Sequence, residues 1–146
     1  MGSPYYNKSI VVSKFGKGFV ADLLNIQTAQ KKGKQLFNLK LGDELIKLSK
    51  NIKTHIACVS KNSKLLVFET KTLPILSRGG GVQLQKINND YVLSDIQTFN
   101  ILDGITWKIG SQLRNEKDIV FWLGKRAQVG KKVPKRFNKN LKFSNE

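Results

Sequence analysis

Residues 12–46 read VSKFGKGFVADLLNIQTAQKKGKQLFNLKLGDELI, and residues 59–93 read VSKNSKLLVFETKTLPILSRGGGVQLQKINNDYVL. Laid over one another without a gap, at an offset of 47 residues, they share Val12/Val59, Ser13/Ser60, Lys14/Lys61, Lys17/Lys64, Val20/Val67, Gly33/Gly80 and Asp43/Asp90. Seven identities in 35 positions is a modest score. Its weight comes from agreement of type elsewhere: Phe19/Leu66, Ile26/Leu73, Lys31/Arg78, Phe37/Leu84, Leu45/Val92 and Ile46/Leu93. Each copy has the same grammar. A first apolar strand (residues 10–12; 56–59) is followed by a polar turn and a second strand (18–21; 65–68). An irregular link and a basic, glycine-bearing turn precede a third strand (35–39; 82–87), and a turn containing Asp leads to a fourth (44–48; 91–93). Such short runs, rich in β-branched and aromatic residues and punctuated by Gly, Asn and Asp, read as strands. Four of them in about 45 residues is the grammar of a propeller blade. A helical reading survives only for 21–30.

Working outward, a third copy is expected near residue 107. It matches only with gaps, Ile119-Val120-Phe121 against Leu66-Val67-Phe68 and Gly130-Lys131-Lys132 near Gly80, as terminal repeats often do. The expected organisation is a lead-in and first strand at 1–12, blade-like repeats at 13–59 and 60–106, a degenerate repeat at 107–137, and a basic flexible tail at 138–146. The predicted fold is all-β: an open arc of two to three blades, four short strands each.

The chain has 146 residues and a formal net charge of +16. Residues 1–40 hold seven basic residues against Asp22 alone. Residues 105–146 hold eleven against Glu116, Asp118 and Glu146. Clustered charge of one sign repels itself unless a polyanion neutralises it, and nucleic acid is the partner whose phosphates do so. The longest apolar runs fall short of the ~18 residues of a membrane span, no basic amphipathic helix is evident, and the N-terminus has no signal-peptide core. The expectation is a cytoplasmic protein without a membrane partner.

Residue inventory narrows the chemistry. His55 and Cys58 are the single histidine and cysteine, three residues apart in an apolar strand. That excludes an internal disulfide and a Cys/His zinc site, and both read as core or core-edge residues. The stretch from Gly124 to Lys132 departs from a phosphate loop in spacing and lacks its Ser/Thr. The run Gly79-Gly80-Gly81 is no dinucleotide fingerprint; its glycines read as turn residues with positive φ. Trp107 and Trp122 read as core.

The runs GKGF, QKKGKQLFNLKLGD, LLVFETKTLPILSRGGGVQLQKI, LSD and WLGKRAQVGKKVPKRF together resemble the C-terminal domain family found in the A subunit of bacterial DNA topoisomerase IV, in its α-proteobacterial form. The resemblance covers residues 13–137. It implies a β-pinwheel, propeller-like blades that exchange strands, with a basic outer rim that binds and bends duplex DNA. It implies two partners: the remainder of the topoisomerase A subunit, together with the ATPase B subunit. It also implies a bacterial, nucleoid-associated setting. Mg²⁺ and ATP are then needs of the whole enzyme, with no cofactor in this chain, and the catalytic tyrosine, metal and ATP sites lie elsewhere. The Gln-Arg-Arg-Gly-Gly-Lys-Gly box of gyrase is absent; Ser77-Arg78-Gly79-Gly80-Gly81-Val82 is the nearest approach, which favours topoisomerase IV over the equivalent gyrase domain. The family domain usually has five or six blades, so the chain corresponds to a portion of it. A small basic RNA-binding or ribosome-associated protein fits the size and charge but not the repeat.

Candidate DNA contacts are Lys31, Lys32, Lys34 and Arg78 on the equivalent turns, and Lys125, Arg126, Lys131, Lys132, Lys135 and Arg136 on the acid-free C-terminal run. Lys14, Lys17, Lys61 and Lys64, on the first turns of the repeats, form a second tier. Gly33, Gly79, Gly80 and Gly81 are expected to let backbone N–H groups approach phosphate, contacts that position DNA without reading sequence.

Overall fold

The computed structural model describes residues 4–33, 35–88 and 90–144. The repeat produces two four-stranded antiparallel sheets followed by a two-stranded one. In the first sheet β1 (Lys8–Ser13) pairs with β2 (Lys17–Asp22) and β3 (Leu45–Ser49). In the second, β4 (His55–Ser60) pairs with β5 (Lys64–Glu69) and β7 (Leu93–Phe99). The fourth strand of each sheet comes from further along the chain. The two-residue β6 (Val82–Gln83) adds to β2, and the equally short β10 (Lys131–Lys132) adds to β5. The third sheet is the hairpin β8 (Ile105–Ile109) and β9 (Gln112–Glu116). The architecture is thus an open array of blades in which each unit lends a strand to the one before it.

Strands β1, β2, β4 and β5 are apolar on both faces because both faces are covered. Ile10, Val12 and Val20 of the first sheet meet Ile56, Cys58, Leu66 and Phe68 of the second in one cluster. The second sheet's other face, Ala57, Val59, Leu65 and Val67, packs against Ile105, Trp107, Trp122 and Phe137. Trp107 and Trp122 are core residues; their indole N–H groups donate to the carbonyls of Arg136 and Lys132. Cys58 is buried, which raises its thiol pKa and keeps it protonated. His55 opens β4 half-buried, and burial lowers its pKa despite the opposing charge of Glu69.

Three expectations change, whereas the helical reading at 21–30 is realised as α1 (Leu23–Lys32), capped by the Asp22 carboxylate on the Leu24 N–H and by Gly33 at φ +65°, with Lys31 and Lys32 in its last turn. Its Ile26, with Phe37, covers the free face of the first sheet. The third strand expected at 35–39 is a single parallel bridge, Phe37 to Gly79. The segment Ile119-Val120-Phe121 is no strand: Val120–Trp122 is a 3₁₀ turn, at the place after β9 that Thr70–Thr72 occupies after β5. The stretch 138–144 is no loose tail. Phe143 is buried, and its carbonyl accepts from the Lys108 N–H on the edge of β8.

Strand exchange explains one glycine in each unit. Gly81 (φ +71°) and Gly130 (φ +87°) directly precede β6 and β10. A Cβ on Gly81 would stand 2.7 Å from the Gly18 carbonyl oxygen, and one on Gly130 would collide with that of Leu65. Gly18 and Leu65 are repeat equivalents, and both obstructions are strand backbone. Gly81→Ala should therefore cost about 2–4 kcal/mol, from the left-handed conformation plus the clash. Urea unfolding would read this directly. At Gly33, where a Cβ meets nothing within 4 Å, Ala should cost only about 1–2 kcal/mol.

Candidate nucleic-acid interface

Of the candidate contacts on the turns and the C-terminal run, Lys31 and Lys32 end α1, Arg78 lies on the first segment that carries strand exchange, and six lie on or just beyond the second. After β5 the chain leaves its own sheet and runs beside β2. Val20 N–H donates to the Pro74 carbonyl at 2.9 Å, and Leu76 N–H donates to the Val20 carbonyl at 2.9 Å, before β6 forms. After Val120–Trp122 the chain repeats the manoeuvre on the second sheet, with Gly124 N–H on the Val67 carbonyl at 2.8 Å before β10 forms. Arg78 and Arg126 lie two residues beyond these amides, Leu76 and Gly124, and are structural equivalents.

The equivalence does not extend to their surroundings. Arg78 is exposed and shares a cleft with Lys32, Asn25, Thr28 and Ser77, so the two basic turns meet across one groove. Arg126 is half-buried, and its guanidinium donates through Nη1 to the Gln83 carbonyl at 2.8 Å, bracing one crossover against the other. Lys31 and Lys32 are exposed at the C-terminus of α1; Lys34 lies outside the described residues. Lys125 and Lys135 are exposed, and Lys131 is exposed with its ammonium 4.7 Å from the Phe121 ring centroid. Lys132 on β10 stands directly opposite Lys64 on β5. Arg136 is exposed in a left-handed turn (φ +64°) whose carbonyl holds the Trp107 indole.

The second-tier lysines are more occupied. Lys17 and Lys64 open β2 and β5 and are half-buried. Lys14 and Lys61 sit in the matching hairpin turns, with backbone N–H groups on the Glu44 and Val92 carbonyls. The Lys61 ammonium also donates to the Asn140 carbonyl, tying down the C-terminal stretch. Of the glycines, Gly33 caps α1, Gly81 is pressed against β2, and Gly79 accepts from Asn38 N–H through its carbonyl.

Among the described residues the ion pairs are Lys8–Asp22 (3.8 Å), Lys71–Glu69 (2.9 Å) and Lys47–Asp95 (2.6 Å). None uses a candidate residue. The exposed Lys71–Glu69 hydrogen bond lowers the Glu69 pKa and raises that of Lys71. The candidate charges are therefore left uncompensated by acids, the state a polyanion relieves. Sequence reasoning misses Lys86, whose N–H donates to the Gln128 carbonyl and which lines the groove of Phe121, Gly130 and Lys131. It misses Asp95 as well, whose partners lie 48 residues away on either side.

Blades that lend strands to their predecessors around an open array define a β-pinwheel. Solved structures show the same fold. The C-terminal domain of E. coli ParC superposes with a TM-score of 0.70 at 15% identity, covering 91% of this chain and 58% of that one. A C-terminal domain of DNA topoisomerase IV gives 0.68 at 18% identity, covering 91% and 43%. The DNA gyrase A C-terminal domain gives 0.60 at 16% identity, covering 88% and 45%. No family model matches the sequence. The A subunit of DNA topoisomerase 4 from Rickettsia bellii is 38% identical over 135 residues, 92% of this chain, and that from Caulobacter vibrioides 33% over 138 residues, 93% of this chain. The chain spans about a fifth of the length of these relatives, 18% of each. It belongs to the C-terminal domain family of the A subunit of DNA topoisomerase IV.

Proposed function

We propose that this chain is the non-catalytic duplex-DNA-binding and bending module of a type IIA topoisomerase, holding DNA for strand passage in decatenation and relaxation. The observation that carries this reading is the set of exposed lysines and arginines outside every described ion pair, at the end of α1, at Arg78 on the first crossover, and on and beyond the second. Phosphate contacts from such residues supply affinity without reading bases. Bending a short duplex costs of order 1–6 kcal/mol, which several phosphate contacts together must exceed. The proposed partners are the rest of the topoisomerase A subunit, together with the ATPase B subunit. From these partners a nucleoid-associated location follows. Mg²⁺ and ATP would act there; among the described residues no three His, Cys, Asp or Glu side chains gather as a metal cage.

Binding to a duplex and to a structured RNA of equal charge, at matched salt, tests the reading. The duplex should be preferred, and circularisation of a short duplex should be enhanced. Equal or tighter RNA binding would favour the RNA-binding alternative. Purified chain given supercoiled plasmid, Mg²⁺ and ATP should neither cleave nor relax it; relaxation with no other protein added would overturn the assignment.

A further inference from the structure

In the second blade, Lys132 of the lent strand β10 is the register partner of Lys64 on β5. Directly opposed residues in an antiparallel pair project from the same face with Cβ atoms about 4.5–5.5 Å apart, and like charges so placed repel. The first blade solves the same position differently. There Gln83 of β6 stands opposite Lys17, and its amide donates to the carbonyls of Phe15 (2.9 Å) and Gln85 (2.8 Å). The surrounding bonds correspond: Leu84 N–H donates to the Gly16 carbonyl in one blade, and Val133 N–H to the Ser63 carbonyl in the other. The second blade has thus replaced a neutral, hydrogen-bonded partner with a second ammonium group. It has done so on an exchange strand only two residues long, whose attachment is reinforced by Gln85 donating to the Lys64 and Val129 carbonyls.

Building on the duplex-binding reading, we propose that Lys64 and Lys132 form one composite phosphate site, half from each of two successive units. Phosphate binding then relieves their repulsion and strengthens the docking of β10. A ligand that binds only the docked arrangement must stabilise it. Duplex binding and strand exchange are in this way thermodynamically coupled at the second blade and uncoupled at the first. The replacement that removes the site is the one the first blade already carries, Lys132→Gln.

The test uses the full chain, wild type beside Lys132→Gln and Lys64→Gln, in low salt, with a short duplex as probe. Lys132→Gln should raise the melting temperature without DNA by about 1–4 °C, through lost repulsion. It should weaken duplex binding several-fold and make the log K against log salt slope shallower by about 0.9. In the wild type, duplex should slow amide exchange at Val133 and Leu65, and that extra protection should disappear in the variant. A merely structural lysine would lower stability and affinity together; opposite signs are what the composite site requires. If wild type binds duplex and both variants bind it equally with unchanged slopes, this inference fails and duplex binding stands. If wild type does not bind duplex, the functional reading fails with it.

Discussion

Asp95→Ala should lower stability by about 2–4 kcal/mol, more than any surface substitution in this chain. Asp95 lies on β7 with its side chain 7% exposed, and it joins three separate parts of the chain. Oδ1 accepts from the Lys47 ammonium on β3 at 2.6 Å and from the Ile96 N–H at 2.9 Å; Oδ2 accepts from the Phe143 N–H at 3.0 Å. Lys47 also donates to the Ile96 carbonyl. Alanine leaves the two buried N–H groups without a partner and the lysine without its counter-charge. The lysine side chain is 37% exposed, so water recovers part of its solvation, and the cost falls below that of breaking a fully buried pair. A domain of this size should lose roughly 5–15 °C of melting temperature. Asp95→Asn, which keeps one acceptor and the shape, should lose about half as much. Release of Phe143 should expose the peptide bond after Lys142 to trypsin in the folded state. A melting temperature within about 2 °C of wild type, below the shift expected from even 1 kcal/mol, with no new cleavage, would show that neither β3 nor the C-terminal stretch depends on this carboxylate. Lys47 is also, for this reason, unsuited as a neutral control in binding experiments.

How much of this is legible in the sequence depends on the range of each interaction. Strands β1, β2, β4 and β5 are apolar because both faces are buried, and a buried run announces itself locally. The 47-residue offset carries over intact to their starting points, Lys8 and His55, Lys17 and Lys64. Of the exchange strands, β6 falls inside a longer run expected at 82–87, and β10, Lys-Lys, carries no apolar signature, since two residues of ladder leave little pattern. The third unit resists alignment for two physical reasons. Its β9, Gln-Leu-Arg-Asn-Glu, is largely exposed and so lacks the apolar signature of β2 and β5. Its offset from the second unit is also larger, 50 residues from Thr70 to Val120 against 47 between the first two. The helix α1 is signalled by Asp22, by Lys31-Lys32 and by Gly33, cap residues that outweigh a weak apolar stripe. For the basic surface, the sequence marks which residues carry charge, but not that Arg126 is turned inward or that Arg78 meets Lys32. Those outcomes follow from the crossovers, which place residues of one unit on the sheet of another.

Duplex affinity should fall about 10³-fold between 50 and 200 mM salt. That corresponds to some six phosphate contacts and a log K against log salt slope of about −5. Two sets of three residues should divide this slope unequally. Lys31, Lys32 and Arg78 are exposed and adjacent, but the two lysines stand at the C-terminus of α1. There the helix dipole presents about half a negative charge, which attracts the lysines and repels an approaching phosphate. Lys125, Lys131 and Lys135 are exposed on and beyond the second crossover, on no helix terminus and in none of the described ion pairs. Replacing Lys31, Lys32 and Arg78 by Ala should weaken binding about equally for unrelated sequences, flattening the slope by up to one unit per true contact. Replacing Lys125, Lys131 and Lys135 should flatten it more. Removing all six should leave a slope of about −0.9, the one contact at Lys64 and Lys132, and cost about 10²–10³-fold in affinity at 50 mM salt. Arg126 and Arg136 are left in place because the guanidinium of one braces the crossovers and the other sits at φ +64° in the turn whose main-chain carbonyl holds Trp107. A wild-type slope shallower than about −2 would remove polyanion binding as the reason for the charge. A slope unchanged in the six-residue variant would move the DNA path to the strand openings at Lys17 and Lys64. Neutralising those two should then abolish what the crossover residues did not.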